Sequence, residues 1–214
     1  IQNLTKQYKD VTAVDGLTLQ IKQGELFSLL GVNGAGKTTT VKMLCALTAP
    51  TGGDALLLGN SVITQSAEVK KTIAVSPQET AVAVNLTVEE NLRLMAGLHG
   101  FDKAKTQVKL QELTQAFGLE SILGKRAGKL SGGWQRRLSI AMALICEPKI
   151  LFLDEPTLGL DVLARSDLWK IIKALKGRVT VILTTHYMEE AEELCDRVAI
   201  MADGRLLAID TPEG

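Results

Sequence analysis

Leu26-Phe27-Ser28-Leu29-Leu30-Gly31-Val32-Asn33-Gly34-Ala35-Gly36-Lys37-Thr38 decides the fold. Its unbroken apolar run reads as a strand covered on both faces, as in a parallel sheet. The run leads into Gly31 to Thr38, a match to G-x-x-x-x-G-K-[ST]. Gly31, Gly34 and Gly36 let backbone N–H groups approach an anion that side chains would block. The helix expected from about Lys37 points the positive end of its dipole at that anion. Lys37 then reaches the β- and γ-phosphates of a nucleotide, and Thr38 offers a hydroxyl to Mg2+. A chance glycine-rich turn is the competing reading; the strand pattern before it and the helical pattern after it argue against that.

Two further strand patterns end in polar residues able to carry chemistry. Ile150-Leu151-Phe152-Leu153 leads into Asp154-Glu155, and Val179-Thr180-Val181-Ile182-Leu183 leads into Thr184-Thr185-His186. In an open α/β sheet, ligands gather at the carboxyl ends of the strands. Asp154 suits Mg2+ coordination, and Glu155 is placed to polarise an attacking water. An acidic pair after a strand is by itself more often a solvated turn; beside the Gly31–Thr38 loop the catalytic reading is favoured. Other stretches alternate. Leu17, Leu19 and Ile21 share one face, and Arg205 to Ile209 follows the turn signal Asp203-Gly204. With the middle stretch Ala55–Leu58 these are expected to form an antiparallel sheet.

The stretch from about Asn85 to Lys129 is helical in pattern. Thr87 and Glu90 form a capping box. Leu92, Met95 and Ala96 recur at helical spacing, with His99 in phase. A second helical pattern runs from Asp102 to about Phe117, with Val108, Leu110, Leu113 and Phe117 as its apolar positions. This reads as a helical lobe inserted between two phosphate motifs, the second being Leu130-Ser131-Gly132-Gly133. Ser131 is a good N-cap for a helix continuing through Leu138, Ala141, Met142 and Ile145, and the glycines expose backbone donors. A plain capped helix is one reading. A second anion site is the other, and it makes sense if two copies of the chain face each other head to tail and share the nucleotide.

Together these motifs resemble the ATP-binding domain of ABC transporters, and the resemblance covers essentially the whole chain. It rests on the Gly31–Thr38 loop, the signature Leu130-Ser131-Gly132-Gly133, Asp154-Glu155, Gly159-Leu160-Asp161, Tyr8, Gln78 and His186, in the family's order. The fold it implies is α/β: a P-loop core with a mostly parallel sheet, an antiparallel β subdomain and an inserted helical subdomain. The core and antiparallel lobe would take residues 1–84 and 136–214, and the helical lobe residues 85–135. The resemblance implies that ATP is contacted by Tyr8, Val14, Gly31, Asn33, Gly34, Ala35, Gly36, Lys37, Thr38, Thr39 and Gln78. Ser131, Gly132, Gly133 and Asp161 would contact it across the dimer. Mg2+ would be held by Thr38, Gln78 and Asp154, and catalysis assigned to Glu155, His186, Lys37 and Gln78. The family's fifth signature position is usually Gln; here it is Trp134, followed by Gln135.

The stretch His186 to Arg197, with Trp134-Gln135-Arg136-Arg137-Leu138, looks like the exporter subfamily of drug and lipid-type ABC-2 ATPases. The implied partners are a second copy of the ATPase domain and separate transmembrane subunits, at the cytoplasmic face of the cell membrane. The alternative is an ABC ATPase acting on ribosomes or DNA. Ribosome-type members usually carry two such domains, and chromosome-type members a long coiled coil between the motifs, whereas no sustained heptads occur here. A small-molecule kinase would leave Ser131–Gly133 and Asp161 without a role.

Composition agrees. Lys and Arg number 24 against 24 Asp and Glu, so no basic field invites nucleic acid. Aromatics are only 4% of the chain, which weakens a base-stacking reading. The apolar runs are broken before they reach the roughly 18 residues of a membrane span. No cleavable signal is visible at the start, and the chain opens on Ile1 rather than Met, compatible with a trimmed domain. Cys45, Cys146 and Cys195 lie far apart without metal spacing and read as buried thiols in a reducing compartment.

Overall fold

The computed structural model describes residues 1–212; the last two positions of the expected 136–214 segment lie outside the described residues. A six-stranded sheet forms the centre. Its strands are β3 (Leu26–Leu30), β7 (Ile73–Ser76), β8 (Ile150–Asp154), β9 (Thr180–Thr185), β10 (Arg197–Ala202) and β11 (Arg205–Asp210). Their order is β11-β10-β3-β9-β8-β7, parallel except for the β10–β11 hairpin. The reading of the apolar runs as strands covered on both faces holds. Leu151 and Leu153 of β8 join one core cluster with Val181 and Leu183, while Ile150 and Phe152 join the other with Phe27, Leu29 and Ile182. Each large apolar side chain buried this way contributes about 1.5–3 kcal/mol.

A three-stranded antiparallel sheet, order β2-β1-β4, lies beside it: β1 (Gln2–Tyr8), β2 (Val11–Leu17) and β4 (Gly52–Asp54). This corrects three expectations. The ladder ends at Leu17, where the sequence alternation begins, although Leu17 and Leu19 are buried as expected and Leu19 still bonds Ile1. Leu56–Leu57 (β5) pairs instead with Asn60–Ser61 (β6) in a separate two-stranded hairpin. β11 joins the large sheet as its edge, because the Asp203–Gly204 turn folds it back on β10.

The helices are α1 (Lys37–Leu44), α2 (Ser66–Thr72), α3 (Val88–Leu98), α4 (Lys103–Phe117), α5 (Gly132–Leu144), α6 (Val162–Lys173) and α7 (Met188–Leu194). In α3 the capping box is complete, and Leu92 and Ala96 are buried, but His99 is exposed. In α4, capped by Asp102, Leu110 and Phe117 are buried whereas Val108 is on the solvent side. Cys45 and Cys195 are buried, and burial, aided by the charge of Asp154, pushes the Cys45 thiol up to about 12. Cys146 departs from the expectation and is only half-buried. No helix among the described residues is long and apolar enough to cross a membrane.

Candidate functional site

The site forms where β3, β8 and β9 end. β3 runs into Gly31–Gly36, and Gly36 is the residue before α1 with φ 95°. A Cβ at Gly36 would lie 2.5 Å from the carbonyl oxygen of Ala13, and one at Gly31 would lie 2.3 Å from that of Met201. The loop is therefore wedged between β2 and β10, and only hydrogen fits at those two positions. No side chain caps α1. The amides of Lys37, Thr38 and Thr39 are left without intrahelical acceptors and serve as donors to an anion.

These elements enclose a cavity of about 580 Å3. Of the expected site residues it is lined by Tyr8, Asn33, Gly34, Ala35, Gly36, Lys37, Thr38, Thr39, Gln78, Glu155 and His186. Val14 is not among them: it is fully buried beneath the loop, since the strand's alternation turns Ala13 toward the cavity instead. Ala13 and Leu158 line the cavity without having been singled out; nothing in their residue type marks them, and only their place in the fold does.

Lys37 is buried, and its ammonium donates to the carbonyls of Gly31 (2.6 Å) and Val32 (3.1 Å). It sits 3.7 Å from Glu155 Oε1. His186 Nδ1 lies 3.0 Å from Glu155 Oε2, off the line of a hydrogen bond, and has no other partner among the described residues. Glu155 has φ 46°, a left-handed backbone that costs a non-glycine residue energy. Its amide is held by the carbonyl (3.1 Å) and hydroxyl (3.0 Å) of Thr184. The same Thr184 hydroxyl donates to Asp154. Thr184 thus fixes both members of the acidic pair, a role that its place in Thr184-Thr185-His186 hinted at.

The Thr38 hydroxyl donates to Asp154 at 3.2 and 3.3 Å. A hydroxyl and a carboxylate side by side are the hard oxygen donors that Mg2+ takes, and this ion commonly keeps one or two protein oxygens and fills the rest with phosphate and water. Among the described residues no group of three or more His, Cys, Asp and Glu forms a metal cage. The Thr38–Asp154 donor pair fits Mg2+ shared with a phosphate.

Ser131, Gly132, Gly133 and Asp161 lie outside this cavity. They are neighbours of each other: a Cβ on Gly133 would touch Ala164 of α6, and Asp161 caps α6 by accepting from the amide of Ala164 at 2.9 Å. Ser131 precedes α5 as expected, but its hydroxyl makes no capping bond. Ser131 and Gly132 are exposed, so the first donors of α5 face outward. Trp134 is half-buried under the Arg137 guanidinium, 4.6 Å from its ring centre. Gln135 turns inward, donating to the carbonyls of Ala127 and Leu130.

A family profile described as "ABC transporter" matches residues 14–158. The chain is 43% identical over 214 residues to the probable multidrug ABC transporter ATP-binding protein YbhF of Escherichia coli (strain K12), covering 99% of this chain and 37% of that protein. It is 42% identical over 212 residues to the Nod factor export ATP-binding protein I of Burkholderia pseudomallei (strain 1710b), covering 99% of this chain and 70% of that one. The chain thus spans little more than a third of the YbhF length. Among solved structures it superposes with a TM-score of 0.87 and 27% identity on the dimeric ATP-binding cassette MJ0796 bound to ADP and Pi, covering 100% of this chain and 98% of that chain. The profile takes in well over half of the chain and the similarity runs along its length, so the chain belongs to the ABC transporter family.

Proposed function

We propose that this chain is the ATP-binding and ATP-hydrolysing part of an ABC exporter. In this reading two copies close head to tail on ATP and drive separate membrane-spanning subunits from the cytoplasmic face of the cell membrane. One observation carries it. The chain holds a cavity lined by the glycine loop, Lys37 and Glu155 and, outside that cavity, a second glycine-led helix start that exposes Ser131 and Gly132. The second start has no anion to serve within its own copy, and a facing copy supplies one. The names of the relatives, a multidrug transporter protein and a Nod factor export protein, support export. The dimeric cassette supports pairing.

The chemistry follows from the residues. The loop amides and Lys37 hold the phosphates of ATP, with Tyr8 at the cavity edge placed to stack on the base. Bound Mg2+, held by Thr38 and Asp154 with Gln78 reaching it, would neutralise charge on the phosphate oxygens. Glu155 lies between Lys37 and His186 and orients water for attack on the γ-phosphorus, accepting its proton. Lys37 and His186 stabilise the charge that develops as the terminal phosphoryl group leaves. Ser131 to Gly133 and Asp161 of the facing copy complete the site, so hydrolysis removes the contact that holds the pair closed.

Glu155→Gln should retain ATP affinity, lose about 10²–10⁴-fold in turnover, and sediment as a dimer with Mg-ATP. Wild-type turnover in this variant, or a monomer at saturating Mg-ATP, contradicts the assignment. Affinity capture of the full-length protein from detergent-solubilised membranes should recover a polytopic membrane protein. Recovery of ribosomes or DNA alone would overturn the exporter reading and leave the ATP site standing.

A further inference from the structure

The segment that carries Gln78 has little structure of its own. β7 ends at Ser76, and Pro77 to Leu86 form neither helix nor strand. Yet Gln78 lines the cavity, and its side chain is useful only if the backbone beneath it stays in place. The hold comes from α5. Arg136 is 5% exposed, and its guanidinium donates to the carbonyl of Pro77 at 2.6 Å and to that of Gln78. One residue earlier, Gln135 accepts from the Thr80 hydroxyl at 3.4 Å. One helical turn later, the Ser139 and Ser76 hydroxyls bond at 3.0 Å. The face of α5 just behind Ser131–Gly133 is thus stitched along residues 76–80.

We infer that Arg136 is the positioning residue for Gln78. Its planar fork spans two successive carbonyls, a geometry that a lysine point charge cannot reproduce. The loop that reaches the ATP site and the helix that carries the second phosphate motif thereby move as one body. A shift of α5 against a facing copy changes the placement of Gln78 in the cavity of its own copy. The inference rests on the reading of that cavity as an ATP site.

The test combines hydrogen exchange with kinetics on wild-type protein, Arg136→Lys, Arg136→Gln, Gln78→Ala and the Arg136→Gln/Gln78→Ala double variant. In nucleotide-free protein, amide exchange over residues 78–82 should rise about tenfold or more in both Arg136 variants, with exchange in β8 and β9 unchanged. The kcat for ATP should fall about 10- to 100-fold, with KM within about twofold of wild type. The double variant should be no slower than Gln78→Ala alone, because both changes remove one function. Unchanged exchange over 78–82 would sink the tether. Raised exchange with normal kcat, or losses that multiply in the double variant, would sink the positioning role. If Arg136→Gln does not fold, Arg136→Lys alone and combined with Gln78→Ala decides by the same readings. Wild-type protein that hydrolyses no ATP would defeat the ATP reading, and the exchange comparison would still decide the tether.

Discussion

Gly36 shows how one residue can be required twice over. Its φ of 95° is unfavourable for any side chain, and a Cβ would press to 2.5 Å from the Ala13 carbonyl. Gly34, with φ 86°, has open space around it and is constrained by backbone conformation alone. Gly36→Ala should therefore push the loop off β2, cost about 1–3 kcal/mol of stability and abolish ATP binding. Calorimetric titration with ATP and thermal unfolding check both, and wild-type affinity in the variant would contradict the wedge. At this scale the motif marks which glycines matter, because spacing alone identifies a phosphate loop. It does not say why, since the clash partners Ala13 and Met201 come from distant strands. Arg136 stayed silent for the same reason: its residue type does not announce a clamp until folding brings its acceptors near.

The helices before the second phosphate motif are where local signals are strongest. Thr87 accepts from the Glu90 amide at 3.2 Å, and Glu90 accepts from the Thr87 amide at 2.8 Å. The Thr87 backbone bond, and then its side chain, hold the Glu90 carboxyl below its ordinary range. A depressed native pKa means that this stabilisation is present above the unfolded value and fades as pH falls through the native one. Thr87→Ala should cost about 1 kcal/mol in urea unfolding at neutral pH. The stability gap between wild type and Glu90→Gln should narrow on going from about pH 7 to about pH 3, and a constant gap would argue against the capping role. Such a box involves residues three apart, which is why it reads directly from sequence. Strand partners do not. β1 pairs with β2 through register shifts at Leu4, Lys6 and Gln7, and these irregularities broke the alternation that would have marked Val11–Leu17. The cleaner alternation just downstream, at Leu17, Leu19 and Ile21, drew the reading too far along the chain.

The molecule as a whole is an α/β sheet with its chemistry at the carboxyl ends of its central strands, and that much follows from three apolar runs that each end in polar residues. The order of the strands does not follow, because β3 lies between β9 and β10, which come from the far end of the chain. Pairing over such separations depends on side-chain fit across the finished core. The same order governs how the chain is made. A ribosome releases β3 and its glycine loop early, yet β3 has no neighbour in the sheet until β9 and β10 have emerged. Closing so long a loop is slow and entropically costly. Until β9 is made the nascent chain therefore carries Leu26–Leu30 as an unpaired apolar segment, of the kind that chaperones shield. The pocket around Gly31–Gly36 can form only after strands made much later in the chain have joined β3.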